Sequence, residues 1–217
     1  MELINCLGKD FDDACFNLAS DIISDNYRVD IIVGIKKGGA IVSKKVYDYI
    51  KIKFPDVLYF EVQFQHPTTV WMKNIGIKKI FKYLPCWSLN LLRKMKMFID
   101  ETLWNIRTYK VFKKVKNKVF KRVGNFEVPK EVRNFTHNHH ANILIIDDAL
   151  DTGMTISYTL YKLEKYLEPR CLEGIDRSYR YAVLTSTYKY PVITPNYTLY
   201  KRKILRFPWA FDAFKFN

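Results

Sequence analysis

The stretch ILIIDDALDTGMTI, residues 143–156, limits the possible folds of this chain more than any other feature. The apolar run 143–146 predicts a buried parallel strand that ends at Asp147. After a polar loop, apolar residues recur at helical spacing as far as Leu167, just before Pro169. A strand, a polar loop and a helix in this order form half of a βαβ unit, which binds ligands at the carboxyl end of its strand. We therefore predict an α/β fold with a site after this strand.

The loop between the predicted strand and helix combines anion-binding groups with acids. Residues 152–155, Thr-Gly-Met-Thr, offer backbone N–H groups and two hydroxyls at a helix N-terminus. Such an arrangement binds phosphate. Gly153 lets the backbone approach an anion closely. Asp147, Asp148 and Asp151 would repel a phosphate, so their carboxylates suit a diol, a cation held by another phosphate, or both. We interpret the stretch as a sugar-phosphate site. The alternative is that the acid pair only caps and solvates a loop.

The stretch resembles the loop that binds phosphoribosyl pyrophosphate (PRPP) in the type I phosphoribosyltransferases. That loop consists of an apolar strand, two acids, three residues that include a further Asp, and Thr-Gly-x-Thr. The resemblance implies that Asp147 and Asp148 bind the ribose hydroxyls of PRPP. It implies that the 5′-phosphate is bound by Asp151, Thr152, Gly153, Met154 and Thr155. Asp151 is also the implied general base, and the implied cofactor is Mg²⁺ held mainly by PRPP, close to the acid pair.

A second stretch, DIIVGIKKGG at residues 30–39, predicts a strand followed by a turn and the start of a helix. In the same family a turn at this place binds pyrophosphate, often with Arg where this chain has Lys37. The resemblance implies that Gly38 and Gly39 let backbone amides reach the diphosphate while Lys37 adds charge. Because Lys lacks the bidentate fork of Arg, we expect a looser contact with the pyrophosphate.

The C-terminal part resembles the 6-oxopurine members of the family. YAVLTSTYKYP, residues 181–191, has Lys189 where those enzymes have a Lys that contacts the purine oxo group. ILRFPWAFD, residues 204–212, contains a Phe-Pro-Trp tail of the kind that closes the site, including Trp209. Ile204 stands where purine enzymes commonly carry an aromatic residue that stacks on the base. The resemblance thus implies acceptor contacts from Lys189, Ile204 and Trp209, and leaves acceptors other than purines open.

The positive charge of the chain is concentrated in one segment. The formal net charge is +14, and residues 70–137 contain 17 basic and 4 acidic residues, whereas the rest of the chain contains 19 basic and 18 acidic residues. We therefore predict a core with a central, mostly parallel sheet flanked by helices and a C-terminal hood, formed by residues 1–69 and 138–217. Residues 70–137 are predicted to be a basic, aromatic-rich helical insertion.

The insertion is open to three interpretations. Residues 77–123 mix Lys and Arg with Phe, Trp, Leu and Ile at roughly helical intervals, with a break near Pro85. The first is a helical hairpin that packs on the core and leaves a basic face in solvent. The second is an amphipathic helix on an anionic membrane surface. The third is a segment that binds nucleic acid.

The resemblance and the interpretations of the insertion together leave three possible functions. The first is transfer of 5-phosphoribose from PRPP to a membrane-presented, lipid-linked glycan, as in the synthesis of ribofuranose-containing polysaccharides. The second is 6-oxopurine (xanthine, guanine or hypoxanthine) salvage. The third is a non-catalytic PRPP-sensing module that binds RNA or a protein partner through the insertion.

The remaining features favour a cytoplasmic protein, peripheral at the inner face of the membrane if the first function holds. The chain has no run of about 18 apolar residues of the kind that spans a bilayer, and its N-terminus has no basic-then-apolar signal pattern. Its four cysteines have no paired spacing, which is typical of reduced thiols. They are Cys6, Cys15, Cys86 and Cys171.

Overall fold

The computed structural model describes residues 1–63, 84–118, 126–167, 176–210 and 212–215, and for residues 107–118 only the helical backbone. The strands are β1 (Glu2–Asn5), β2 (Ile31–Lys36), β3 (Leu58–Gln63), β4 (Ala141–Leu150), β5 (Arg177–Ser186), β6 (Tyr197–Lys201) and β7 (Lys203–Arg206). The helices are α1 (Gly8–Ser24), α2 (Gly38–Lys53), α3 (Cys86–Lys118), α4 (Lys130–Asn138) and α5 (Met154–Leu167), followed by a 3-10 turn (Ala213–Lys215). The central sheet has the order β3-β2-β4-β5-β6, and each neighbouring pair is parallel. The predicted α/β fold with a mostly parallel central sheet is confirmed.

The apolar run in β4 is buried on both faces of the sheet. Leu144 and Ile146 belong to the core that includes α1 and α2, whereas Ile143 and Ile145 belong to the core that includes α4 and α5. All four side chains are almost completely buried. Because successive residues of a strand point to opposite faces, a strand covered by helices on both sides needs this continuous apolar sequence.

The strand β4 is longer than its sequence predicted. Its ladder with β5 continues from Asp147, opposite Val183, to Leu150, opposite Ser186. The prediction that the strand ends at Asp147 is therefore wrong, because pairing with a neighbouring strand carries the extended backbone three residues further. The following helix has the extent that the apolar spacing predicted.

A second, two-stranded parallel sheet pairs β1 with β7. We call this sheet and the C-terminal turn the hood. Arg206, at the end of β7, is buried and donates hydrogen bonds to Asp212 (Nε to Oδ2, 3.3 Å), Asn90 (Nη2 to Oδ1, 2.5 Å) and Asn5. Asp212 also accepts a hydrogen bond from Arg93. Because Asn90 and Arg93 belong to α3, these buried contacts attach that helix to the hood.

The predicted insertion is described only in part, because residues 64–83 and 119–125 lie outside the described ranges. Its main element is the 33-residue helix α3, which begins directly after the break predicted near Pro85. At the other end of the segment, Phe126, Val128 and Val132 are buried in the core with α4 and α5. This last part of the segment therefore packs on the central sheet.

Among the helices that the structure describes, none combines the length and the apolar content needed to cross a bilayer. Cys6 and Cys15 are buried free thiols, and burial raises the pKa of Cys6 to about 11 and that of Cys15 to about 12. Both thiols are therefore protonated at neutral pH. Cys171 lies outside the described residues.

Candidate functional site

The two predicted parts of the donor site meet at the carboxyl ends of β2 and β4, which are neighbours in the sheet. The strand β2 leads directly into the turn Lys37–Gly39, which opens α2. A Cβ atom added to Gly38 would lie 2.1 Å from Asp148 Oδ2, and one added to Gly39 would lie 2.5 Å from Asp147 Oδ1. Each carboxylate therefore occupies the space that a side chain on one glycine would need, so the turn can only approach the acid pair because both residues are Gly.

Trp209 closes the same corner from the hood. Its ring stacks on Phe207, with the centroids 4.8 Å apart, and meets Phe11 of α1 edge-on at 5.5 Å. Its indole N–H donates a hydrogen bond to Asp148, and Nε1 would lie 2.8 Å from a Cβ atom added to Gly38. Trp209 therefore borders the contact between Gly38 and Asp148.

The loop between β4 and α5 is held by the segment that follows β5. Gly153 has a φ of +77°, a left-handed conformation that glycine adopts without strain, and a Cβ atom there would lie 3.1 Å from the backbone N of Ile193. The Thr152 carbonyl accepts a hydrogen bond from the Val192 N–H at 2.9 Å, and its hydroxyl accepts one from the Met154 N–H at 3.3 Å. The loop thus leads into the first turn of α5, the helix N-terminus at which the sequence predicted phosphate binding.

The two adjacent acids carry strongly perturbed carboxyl groups. Burial raises the pKa of Asp147 well above its usual range, and the negative charge of Asp148 raises it further. Burial also raises the pKa of Asp148, although hydrogen bonds to its ionised form, including those from the Ala149 N–H and Trp209, act in the opposite direction. The Asp148 N–H donates to Asp147 Oδ1 at 2.9 Å. The ionised pair is therefore short of positive charge or hydrogen-bond donors, which a ligand can supply.

Asp151 lies where the loop faces α3. The residue is exposed overall, but the surrounding protein desolvates its carboxyl and raises its pKa. A hydrogen bond donated by the Thr187 hydroxyl and the positive charge of Lys96 act in the opposite direction, whereas Asp100 raises the pKa further. Groups from the segment after β5 and from α3 therefore both act on the Asp151 carboxyl.

Sequence reasoning missed Thr187 and Lys96 as neighbours of Asp151. Thr187 directly follows β5, at the edge of the sheet where parallel strands carry their sites, so its position along the chain is a usable signal. Lys96 lies in α3, and nothing in its local sequence predicts that this helix faces Asp151.

The segment that carries Lys189 rests against α3. The Lys189 backbone N–H donates to Glu101 Oε1 at 2.7 Å, and the Glu101 side chain, itself buried, also pairs with Arg202. One helical turn further on, the Trp104 indole donates to the Tyr190 carbonyl at 3.2 Å. The Lys189 side chain itself is exposed. The helix α3 therefore forms a wall that holds the predicted acceptor segment.

The predicted acceptor residues do not all come together. Lys189 lies two residues from Thr187, which contacts Asp151, and Trp209 contacts the acid pair. Ile204 instead lies buried in β7, in register with Leu3 of β1. A buried position in this strand suits an apolar side chain.

The acid pair has the chemistry to hold a cation together with a phosphate ligand. Over the ranges that the structure describes, no three His, Cys, Asp or Glu side chains group to hold a metal on their own. Mg²⁺ is usually bound by one or two carboxylates plus substrate phosphates. Asp147 and Asp148 supply two adjacent carboxylates whose pKa values are raised mainly by burial, so a nearby cation would favour their ionised forms. The pair therefore fits a cation that arrives with its phosphate ligand.

Comparisons with known proteins agree with this geometry. A family model described as the phosphoribosyl transferase domain matches residues 8–171. Similar solved structures include a purine phosphoribosyltransferase from Pyrococcus horikoshii (16% identity, TM-score 0.55, covering 97% of this chain and 95% of that one). They also include a xanthine-guanine-hypoxanthine phosphoribosyltransferase from Helicobacter pylori (10% identity, TM-score 0.53, covering 99% and 97%). A third is a hypothetical protein from Neisseria gonorrhoeae with bound ppGpp (15% identity, TM-score 0.53, covering 99% and 93%).

At these identities the structural likeness shows a shared fold and nothing finer. A comparison with curated proteins gives no match. The family model, however, covers well over half of the chain and includes both the glycine turn and the acid pair. The chain belongs to the phosphoribosyltransferase family.

Proposed function

We propose that the protein transfers 5-phosphoribose from PRPP to a 6-oxopurine base with release of pyrophosphate. The observation that carries the proposal is the direct packing of Gly38 and Gly39 on the carboxylates of Asp148 and Asp147. A turn suited to a diphosphate and an acid pair suited to ribose hydroxyls are thereby brought within one ligand's reach. PRPP carries both groups on a single ribose.

Each group of the donor site has a distinct role in this proposal. Asp147 and Asp148 accept hydrogen bonds from the ribose hydroxyls. Lys37 and the backbone amides of its turn bind the pyrophosphate and stabilise the negative charge that develops as it leaves. The loop from Asp151 to Thr155 binds the 5′-phosphate through its backbone N–H groups and the hydroxyls of Thr152 and Thr155, with the Asp151 carboxylate turned away from it. Mg²⁺ bound with PRPP beside the acid pair would neutralise part of the pyrophosphate charge.

Asp151 is the candidate general base. In the reaction the bond from the ribose carbon to pyrophosphate breaks, a bond to a ring nitrogen of the base forms, and Asp151 accepts the proton that this nitrogen loses. The raised pKa of Asp151 supports the role, because a carboxylate whose pKa lies closer to the working pH accepts a proton more readily.

A purine acceptor is supported by two observations. The similar structures from Pyrococcus horikoshii and Helicobacter pylori are named as purine phosphoribosyltransferases. In this chain, Lys189 has an exposed side chain on the segment that contacts Asp151 through Thr187, so its ammonium can reach an acceptor that approaches this base. An ammonium group is a suitable partner for a purine oxo group.

Donor binding is tested by replacing Asp147 and Asp148 together with Asn. We expect titration calorimetry with Mg²⁺ and PRPP to show strongly weakened binding, because amides are poorer acceptors and attract no cation. The chain offers a matched control in Asp12 and Asp13, an adjacent and exposed Asp pair on α1. The Asp12→Asn/Asp13→Asn variant makes the same change in net charge and should bind PRPP normally. Equal affinity in the two double variants would rule out the assigned donor site.

The acceptor is tested by measuring pyrophosphate release with hypoxanthine, guanine and xanthine. We expect turnover with at least one base, and Lys189→Met should raise KM for the base while PRPP binding is unchanged. Lys201→Met, which removes another exposed Lys at the end of β6, is the control and should leave both unchanged. Donor binding without turnover of any base would overturn the purine acceptor and leave the donor site standing.

A second candidate acceptor, a lipid-linked glycan, is favoured by the outer surface of α3. The helix that holds the Lys189 segment through Glu101 exposes large apolar side chains, among them Trp87 and Phe98. A substrate presented at a bilayer could therefore reach the same site. Pyrophosphate release that needs a detergent-solubilised polyprenyl-linked sugar, with none on free bases, is the result expected of this candidate.

A further inference from the structure

The helix α3 packs on the protein with a mainly polar face, which also includes the buried Leu89, and presents an apolar face outwards. On the inner face, Asn90 and Arg93 bond to the hood, and Glu101 bonds to the segment after β5. An amphipathic helix on a globular protein normally turns its apolar stripe to the core. In α3 the arrangement is reversed, because the inward residues are needed as partners for buried charged groups of the hood.

The outward face carries a continuous apolar stripe. Six large apolar residues that recur at helical spacing are each between 50% and 69% exposed. They are Trp87, Leu91, Met95, Phe98, Ile99 and Ile106. The stripe extends over about 28 Å at the rise of an α-helix. An exposed apolar surface of this extent marks an interaction site.

The charge of α3 indicates the kind of partner that suits the stripe. The helix contains nine Lys or Arg and two Asp or Glu. Within the length of the stripe, Asp100 pairs with Lys96 at 2.5 Å and Arg93 pairs with Asp212, while Glu101 is buried beside Arg202. The excess charge therefore lies on Lys94 and on the six basic residues at 107–118, which directly follow the stripe in the same helix. A basic helix with Trp, Phe and Leu on one face has the composition of helices that lie in the interface of an anionic bilayer. We propose that the apolar stripe of α3 docks on an anionic lipid membrane.

A second copy of the chain is a poorer partner for the same surface. Pairing two stripes would bring two helices of strongly positive charge together, on chains that each have a net charge of +14. The negative surface potential of an anionic bilayer instead attracts these charges while its acyl region takes up the apolar side chains. The proposal concerns only this surface and does not depend on the acceptor of the transferase reaction.

The test is sedimentation of the full-length protein with phosphatidylcholine vesicles, prepared with and without phosphatidylglycerol. We expect binding to the anionic vesicles, weakened by added salt because screening shortens the reach of surface charge. Phe98→Ala/Ile106→Ala should lower the partition coefficient at least about tenfold, since two large apolar side chains lose their burial. Phe16→Ala/Ile52→Ala is the matched control, because it removes an exposed Phe and an exposed Ile from α1 and α2 and should bind like the wild type.

A spectroscopic measurement locates the contact on α3. The indole of Trp87 is exposed, so insertion among lipids should shift the tryptophan emission of the wild type to shorter wavelength. The shift should be reduced in Trp87→Phe, which keeps an apolar side chain and should still sediment with vesicles. All substituted side chains are exposed, and circular dichroism should show an unchanged fold.

Several results would overturn the proposal. One is failure of the wild type to bind anionic vesicles at low salt, and another is equal binding by Phe98→Ala/Ile106→Ala and its control. A third is a wild-type dimer in light scattering that becomes a monomer in Phe98→Ala/Ile106→Ala, together with no binding of the wild type to vesicles. A fourth is tight binding to single-stranded RNA at physiological salt by a protein that does not bind vesicles.

Discussion

Replacing Gly39 with Ala tests the contact between the glycine turn and the acid pair. The new Cβ atom would lie 2.5 Å from Asp147 Oδ1, 2.8 Å from Asp147 Cα and 3.2 Å from the carbonyl oxygen of Ile146. The carboxylate can rotate away, but the Cα and carbonyl atoms belong to the backbone of β4 and cannot. Ordinary contact begins at 3.4 Å, so the turn and β4 must separate by about 0.6 Å to admit the methyl group.

This displacement should weaken the binding of PRPP and lower the free energy of unfolding. A misplacement of 1 Å can cost about a hundredfold in a positioned site, so a shift of roughly 0.6 Å should weaken PRPP binding on the order of tenfold, or about 1.4 kcal/mol. Overpacking a well-filled position costs about 1–3 kcal/mol of stability. Titration calorimetry with PRPP and Mg²⁺ measures the first effect, and urea unfolding measures the second.

Gly34→Ala in β2 supplies the control for overpacking. Its Cβ atom would lie 2.1 Å from Ser43 Oγ, within the packing of α2 on the sheet, and its three nearest atoms belong to Ser43 and Tyr59 rather than to the acid pair. We expect a loss of stability with little change in PRPP affinity. If Gly39→Ala bound PRPP as tightly as the wild type, the close approach of the turn to Asp147 would have no part in donor binding, and the argument from the glycine contacts would fail.

Three further predictions concern the charged groups. Asp147→Asn should raise the melting temperature of the ligand-free protein at pH 8, because the raised pKa of Asp147 in the folded state makes stability fall as the pH rises above the usual carboxyl pKa. Scanning calorimetry should show this gain vanishing near about pH 4, where the carboxyl is protonated in both states. An unchanged melting temperature at pH 8 would contradict the prediction. Thr187→Val removes a hydrogen bond that lowers the pKa of Asp151, so the acid limb of the kcat/KM profile should move to higher pH, whereas an unmoved limb would argue against this base. Asp212→Asn leaves the buried Arg206 with a weaker partner and should cost roughly 3–5 kcal/mol in urea unfolding, and a loss below about 1 kcal/mol would contradict a structural role.

The contact between the glycine turn and the acid pair was predictable because short stretches of sequence determine it. The apolar run before Asp147 and the stretch that leads into the Lys37–Gly39 turn each specify a strand, a loop and a helix start within a dozen residues. Parallel strands carry their carboxyl ends to one edge, so two such stretches in one sheet are expected to meet. The end of β4 was not predictable, because its last residues are extended through pairing with Val183 to Ser186, more than thirty residues away.

The position of the proposed acceptor segment depends on contacts that no local sequence pattern predicts. Glu101 bonds to the backbone of Lys189, 88 residues later, and to Arg202, 101 residues later. From sequence alone, the alternation of apolar and basic residues in α3 leaves open which face turns inwards. The buried pair of Arg206 and Asp212 determines which face of α3 turns inwards, because Asp212 pairs with Arg93 and Arg206 donates to Asn90.

The position of the acceptor segment is therefore coupled to α3. A change on the inner face of the helix, such as loss of Glu101, removes the partner of the Lys189 backbone and of Arg202 together. A change on the outer face, such as loss of Phe98, touches neither contact. Because the two faces belong to one rigid helix, a surface that fixes α3 from outside also fixes the acceptor segment from inside. The acid pair Asp147 and Asp148 is instead held within β4 of the packed sheet, whereas Asp151 faces Lys96 of the same helix.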